Sequence, residues 1–285
     1  LASAGVLDNG EFNHSNSQVN SFQIPNPALQ PEEGSVVTMG FVYSPGWLEG
    51  FSMTMDLWRV KITNYIVNIP ETVLLNQCFN FGRFCDTFVR DENGDVANMF
   101  NTIGNFGRLD TKGVDIGFRY QLPETAWGKF AWNLDTTYLA RYDVELLEGE
   151  PSSQVGAFPA IPGSIGLAGT FVDSASSGFG NLARWRALDD IRWSKNEWSA
   201  SLTTRYVHHV YEAPETVAVL GTPGYVAKRK IGSWMQTDLQ LGYHIGGSWD
   251  SDVQIGVRNI NHELAPLIYW GFNGTTDMRT YDGNG

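Results

Sequence analysis

The side chains best equipped for chemistry in this chain are two cysteines, five histidines and a scatter of carboxylates. Cys78 and Cys85 stand close together with no other cysteine in the chain, which suits a local disulfide in an oxidising compartment. Closing so short a loop contributes roughly 2–3 kcal/mol at most. Two free thiols are the alternative; zinc is disfavoured because no second Cys or His pair sits nearby. His14, His208, His209, His244 and His262 show no metal-ligand spacing. Asp91-x-Asn93-x-Asp95 has the spacing of the first calcium-loop ligands. Its glycine falls at the wrong position and the distal Glu is missing, so a turn tip at Asn93-Gly94 accounts for it better. Gly178-x-Gly180-x-x-Ala183 is a loose dinucleotide fingerprint without a surrounding βαβ pattern. No G-x-S-x-G and no Ser, His and Asp arrangement marks a nucleophile. Asp189 and Asp190 are adjacent, so on a strand they point to opposite faces and make a poor acid/base pair. The sequence therefore offers no catalytic residue, no metal site and no cofactor site.

The charged residues that do share a pattern are Asp56, Asp115, Arg119, Arg205, Asp238 and Arg258. Each sits at the polar parity of a segment in which apolar and polar residues strictly alternate. Val114, Ile116, Phe118, Tyr120 and Leu122 interleave with Asp115, Gly117, Arg119 and Gln121. Leu239, Leu241, Tyr243 and Ile245 interleave with Gln240, Gly242 and His244, and Val253, Ile255 and Val257 with Gln254, Gly256 and Arg258. A period of two means β-strands with one apolar and one wet face. Charges on one face and large aromatics on the other match a barrel with lipid outside and water inside. The charged set then either contacts a plug or passing solute in a hydrated lumen, or forms a cross-strand ladder that only holds the wall together.

Composition agrees. Charged residues are 18% and aromatics 13% of the 285 residues, with Gly at 31. That is poorer in charge than the roughly 25% of a soluble domain, and it suits β-architecture with aromatic girdles. A net charge of −12 makes nucleic acid an improbable partner. No apolar run is long enough for a transmembrane helix, but a spanning strand needs only about 9–11 alternating residues. The chain opens Leu1-Ala2-Ser3-Ala4 without an initiator Met or a secretory apolar run, and reads as a fragment.

Along the chain, short turns and long loops take turns. The pattern predicts eight spanning strands, with short connections on one side and long ones on the other. The turns fall at Ser44-Pro45-Gly46, Pro123, Ser194–Glu197 and Gly246-Gly247. The longest strand region runs from about Asp95 to Leu122. The connections cover about 66–94, 144–180 and 211–230, the second with a hairpin near Ser164–Val172. On the strand from Phe51, the outward parity reaches Arg59 and Lys61. Either that strand rises past the bilayer to the level of anionic headgroups, or a β-bulge swaps its faces.

Several segments together resemble the TonB-dependent outer-membrane receptors. Asn26-Pro27-Ala28-Leu29-Gln30-Pro31-Glu32-Glu33 is similar to their N-P-x-L-x-P-E segment, and Ser52–Ile62 to their strand with a central Asp, here Asp56. Cys78 to Cys85 followed by Arg90-Asp91 and Gly94 resembles their loop disulfide. Asn105 through Gly113-Val114-Asp115 resembles the N…G-[VI]-[DE] strand. Asp238–Tyr243, Gly256–Ile260 and Tyr281-Asp282 resemble the last strands.

The resemblance implies an all-β fold, a partial antiparallel transmembrane β-barrel. Residues 1–285 would be its C-terminal portion, lacking the plug, the earlier strands, the TonB-contacting box and the closing strand. The family barrel has about 22 strands around a plugged lumen. It implies an outer-membrane receptor that imports a ferric siderophore, cobalamin or an oligosaccharide with TonB-supplied energy, and it implies no enzyme. Its partners would be outer-membrane lipid, its own plug, the TonB complex and the small-molecule or oligosaccharide substrate. Loop aromatics such as Phe158, Trp270 and Phe272 are candidates to stack on that substrate, or equally to rest on neighbouring loops. The competing readings are a soluble β-rich carbohydrate-binding or hydrolytic domain, which needs two sheets packed face to face, and a passive porin-like channel.

Overall fold

The computed structural model describes residues 19–69, 71–92, 94–145, 165–172, 180–212, 229–247, 250–268 and 280–281. In chain order the elements are β1 (Asn20–Ile24), β2 (Glu33–Tyr43), β3 (Phe51–Asn68), α1 (Glu71–Phe81), β4 (Phe88–Arg90), β5 (Val96–Gln121) and β6 (Lys129–Glu145). Then come β7 (Ile165–Gly166), β8 (Thr170–Val172), β9 (Gly180–Asn181), β10 (Trp185–Lys195) and β11 (Trp198–Val207). β12 (Val210–Glu212), β13 (Lys230–Ile231), β14 (Trp234–Ile245) and β15 (Ser251–Val257) follow.

Eight of these strands form one wall in the order β15-β14-β11-β10-β6-β5-β3-β2. Every neighbouring pair in it is antiparallel. The alternating segments of the sequence are these strands, because β-branched and aromatic side chains fit a pleated surface. The connections alternate as read. β10 and β11 join through a tight turn in which Asn196 takes a φ of 52°, a conformation Asn tolerates. At the β2–β3 turn Gly50 has φ 79°, and a Cβ there would lie 2.2 Å from the Gln121 carbonyl oxygen.

Two local expectations differ from the structure, and one strand has no counterpart among them. The connection at 66–94 is not all loop: β3 continues to Asn68, and α1 and β4 follow. Leu74 and Gln77 of α1 are buried, with Leu74 packed among Val67, Val96 and Met99. Among the described residues β7 and β8 do not pair with each other, as the hairpin expected near Ser164–Val172 would require; β7 pairs with β6, while β8 pairs with β9 and β12. A strand unseen in the sequence, β1, pairs in parallel with β5 through Asn20–Ile24 against Asn98–Thr102.

Two cores sit at the end of the wall that carries the long connections. One gathers Val67, Leu74, Met99, Leu109 and Val144; the other Phe171, Val207, Val210, Trp234 and Tyr281. Below them, among the described residues, the apolar face of the wall has no second layer. Met39 is 73% and Ile255 70% exposed, and among the described residues no sheet clasps that face, as a sandwich would require.

Candidate functional site

Strand register fixes which side chains share a face. Asp56 stands opposite Asp115, and Asp115 opposite Thr137, whose hydroxyl donates to Asp115 Oδ1 at 2.7 Å. Gly40 stands opposite Asp56 on the other side; a Cβ there would lie 2.0 Å from Asp56 Oδ1, so only glycine leaves the carboxylate its place. Arg119 Nη2 donates to both oxygens of Asp135 at 2.8 Å. Across the wall, Arg205 Nη2 reaches Asp238 Oδ2 at 2.5 Å. Asp238 Oδ1 also accepts from the Asn259 backbone N–H at 2.9 Å and from Gln236 Nε2 at 3.1 Å. Leu239 pairs with Val257, so the same register sets Arg258 beside Asp238. Asp56, Asp115, Arg119, Arg205, Asp238 and Arg258 therefore lie on one polar face, in two separate groups rather than one cluster.

The sequence reading missed Asp135, Asp190 and Gln236, which complete those groups. Asp190 accepts from Thr203 Oγ1 at 3.1 Å and pairs with Arg192 at 2.6 Å on the polar face. Its neighbour Asp189 points the other way and accepts from the Trp132 indole at 2.6 Å. Strict alternation of Asn133 and Asp135 already held the signal for this ladder. A cavity of about 810 Å³ lies against the polar face toward the short turns, lined by Ala131, Asp190, Arg192, Ser201, Gln240 and Gln254. Such a surface of small polar and charged groups offers hydrogen bonds to water, to solute or to another polar surface. Among the described residues no group of three His, Cys, Asp or Glu is placed to hold a metal ion.

The two readings of Arg59 and Lys61 are separated by register. β3 pairs with β5 without a break from Phe51 to Ile62, and the irregularities come only after Ile62. No bulge swaps the faces there; the apolar face itself turns charged. Higher up, His208 and His209 lie ring to ring at 4.0 Å, and Tyr206 Oη lies 2.7 Å from His208 Nδ1. Burial, then the nearby His208 and Lys230, hold the His209 imidazole below the usual histidine range.

In the first long connection Cys78 and Cys85 are joined by a disulfide with Cα atoms 4.9 Å apart. Nearby, Asp91 closes a turn: its Oδ1 accepts from the Asp95 N–H at 3.0 Å, and its own N–H donates to the Asp95 carbonyl at 2.8 Å. The Asp91 carboxylate is thus engaged in turn formation. Phe158, Trp270 and Phe272 lie outside the described residues, as do Asn93 and Gly178.

The family model described as TonB dependent receptor-like, beta-barrel matches residues 3–260. The FrpB iron transporter from Neisseria meningitidis has a similar fold, at 12% identity and a TM-score of 0.53, over 90% of this chain and 31% of that one. A mutant of the ferric enterobactin receptor PfeA from Pseudomonas aeruginosa is 14% identical with a TM-score of 0.51, over 86% of this chain and 28% of that one. The chain thus spans less than a third of the length of these solved structures. At such identities the likeness shows the fold alone. No curated protein matches the chain.

Proposed function

Because the chain belongs to the TonB-dependent receptor β-barrel family, whose members are outer-membrane transport receptors rather than enzymes, we propose that it is a wall segment of a longer nutrient-uptake receptor. The eight wall strands cross the outer membrane, with the apolar face against lipid and the polar face turned to a lumen. A plug carried elsewhere in the parent protein rests against that polar face and couples it to the TonB complex. The observation that carries this reading is the pairing of an uncovered apolar face with a charged opposite face on one continuous sheet. Strand length supports it: crossing hydrocarbon takes about 9–11 residues, and β3 has 18 and β5 has 26. The surplus lies toward the long connections and builds the rim on which substrate lands.

The substrate is a ferric siderophore, cobalamin or an oligosaccharide. Phe158, Trp270 and Phe272 are the loop aromatics proposed to stack on it, while Arg119 with Asp135 and Arg205 with Asp238 and Arg258 face the plug or passing solute. The test uses the full-length receptor in outer membranes. Heat-modifiable migration in detergent gels, with TonB-dependent uptake of one of the three labelled substrate classes, is the expected result. A protein that partitions into buffer and folds without detergent contradicts the proposal.

A further inference from the structure

Resting on the membrane reading above, we propose that Asp189, Thr204 and Thr237 form a polar interface, half-way through the membrane, against a second copy of the receptor. Depth comes first. On the apolar face two aromatic pairs mark the ends of the greasy belt. Tyr138 and Trp185, rings 4.6 Å apart, lie toward the long connections, and Trp198 and Tyr243, rings 4.7 Å apart, lie toward the short turns. Trp185 and Trp193 of β10 both face this side, and the Trp193 indole donates to the Trp127 carbonyl of a short turn at 2.7 Å. Asp189 stands midway between those two tryptophans, about 13 Å along the strand from each. A carboxyl group is thus held near the middle of the hydrocarbon, where it is costly and marks a functional contact.

Register extends the polar spot sideways. Asp189 stands opposite Thr204 and Thr204 opposite Thr237, so three polar side chains adjoin across β10, β11 and β14. The row below, Trp132, Ile191, Leu202 and Leu239, carries no charge. Asp189 Oδ1 accepts from the Trp132 indole at 2.6 Å, and among the described residues Oδ2 accepts from no group. Thr204 Oγ1 and Thr237 Oγ1 lie 3.2 Å apart, so one hydroxyl donates to the other and the second proton is left to donate outward. The wall therefore presents an open acceptor beside an open donor.

A second copy supplies the complement of that pair. Both copies stand upright in one membrane, so a two-fold relating them runs along the membrane normal and leaves every residue at its own depth. Asp189 of one copy then meets the threonine hydroxyls of the other, and the converse contact repeats it. Ala187 and Ala200 on the same face keep the surface low, which lets two walls approach closely. An acyl chain at this depth offers no donor to Asp189.

The test uses the full-length receptor in outer-membrane vesicles. Native mass spectrometry of the unmodified receptor should show a dimer. Thr204→Cys should cross-link copy to copy at least about tenfold more than Met39→Cys, on the same face but far along the wall on β2. Asp189→Leu and the T204V/T237V double variant should each weaken the dimer about tenfold, the effect of losing two hydrogen bonds in a membrane. If Asp189→Leu fails to fold, T204V/T237V, which keeps side-chain shape and removes only the hydroxyls, decides. A receptor that is monomeric in vesicles, equal cross-linking at 204 and 39, or an unchanged dimer in T204V/T237V would each overturn the assignment. Cross-linking from position 204 to a different protein would overturn the second copy as occupant. Heat-modifiable migration of the same samples reports separately on the membrane reading.

Discussion

At Gly113 an added Cβ would meet Trp58 Cζ2 at 2.4 Å and the Tyr138 carbonyl oxygen at 2.6 Å, both held by the wall. Gly113→Ala should therefore lower stability by about 1–3 kcal/mol. Gly34→Ala, which meets nothing within 4 Å, should not share that steric cost. The temperature at which the full-length receptor loses its compact gel form measures both. The charged pairs differ in the same way. Arg119 and Asp135 are 47% and 55% exposed, so Asp135→Ala should cost under about 1 kcal/mol. Asp238 is only 19% exposed and accepts from Arg205, Gln236 and Asn259. Asp238→Ala should cost about 2–3 kcal/mol in a urea titration, because it strands three donors. Period two was enough to place Asp56, Asp115 and Arg119 on one face. It could not show that Asp56 and Asp115 oppose each other, since that depends on register between segments far apart in the chain.

The long strands were legible because they obey one rule without interruption. β5 keeps apolar and polar residues apart from Val114 to Gln121, and β14 does so from Leu239 to Ile245. β10 reads more weakly because it breaks the rule twice, with Leu188 on the polar face opposite Asp135 and Asp189 on the apolar face opposite Leu134. α1 was not legible at all. Its 11 residues carry no clear 3.6-residue stripe, and its place is set by tertiary packing of Leu74 and Gln77 and by the bridge from Cys78. β1 is short and finds its partner nearly eighty residues away, a pairing that only the folded wall selects. The disulfide gives the element-scale prediction. Reduction removes a local staple worth roughly 2–3 kcal/mol at most, so limited proteolysis should speed up within residues 71–95 while the wall strands stay protected. Unchanged cleavage there would show that packing alone holds α1.

At the largest scale, the sheet formed by the described residues has two open edges, β2 and β15, each paired on one side only. β2 is exposed along its full length. Open edges are ready templates for other strands, so the segment expressed by itself should aggregate or require detergent, whereas the full-length receptor should migrate as a compact, heat-modifiable species. The two faces of the wall are the centre of the account, and alternating cysteine labelling along one strand reads them most directly. Single Val114→Cys, Asp115→Cys, Ile116→Cys and Arg119→Cys variants of the full-length receptor in outer-membrane vesicles would be exposed to a lipid-soluble and a water-soluble maleimide. Labelling from the lipid at 114 and 116 and from water at 115 and 119 is the result predicted. Protection of 114 and 116 from the lipid reagent, or labelling without alternation, would contradict it.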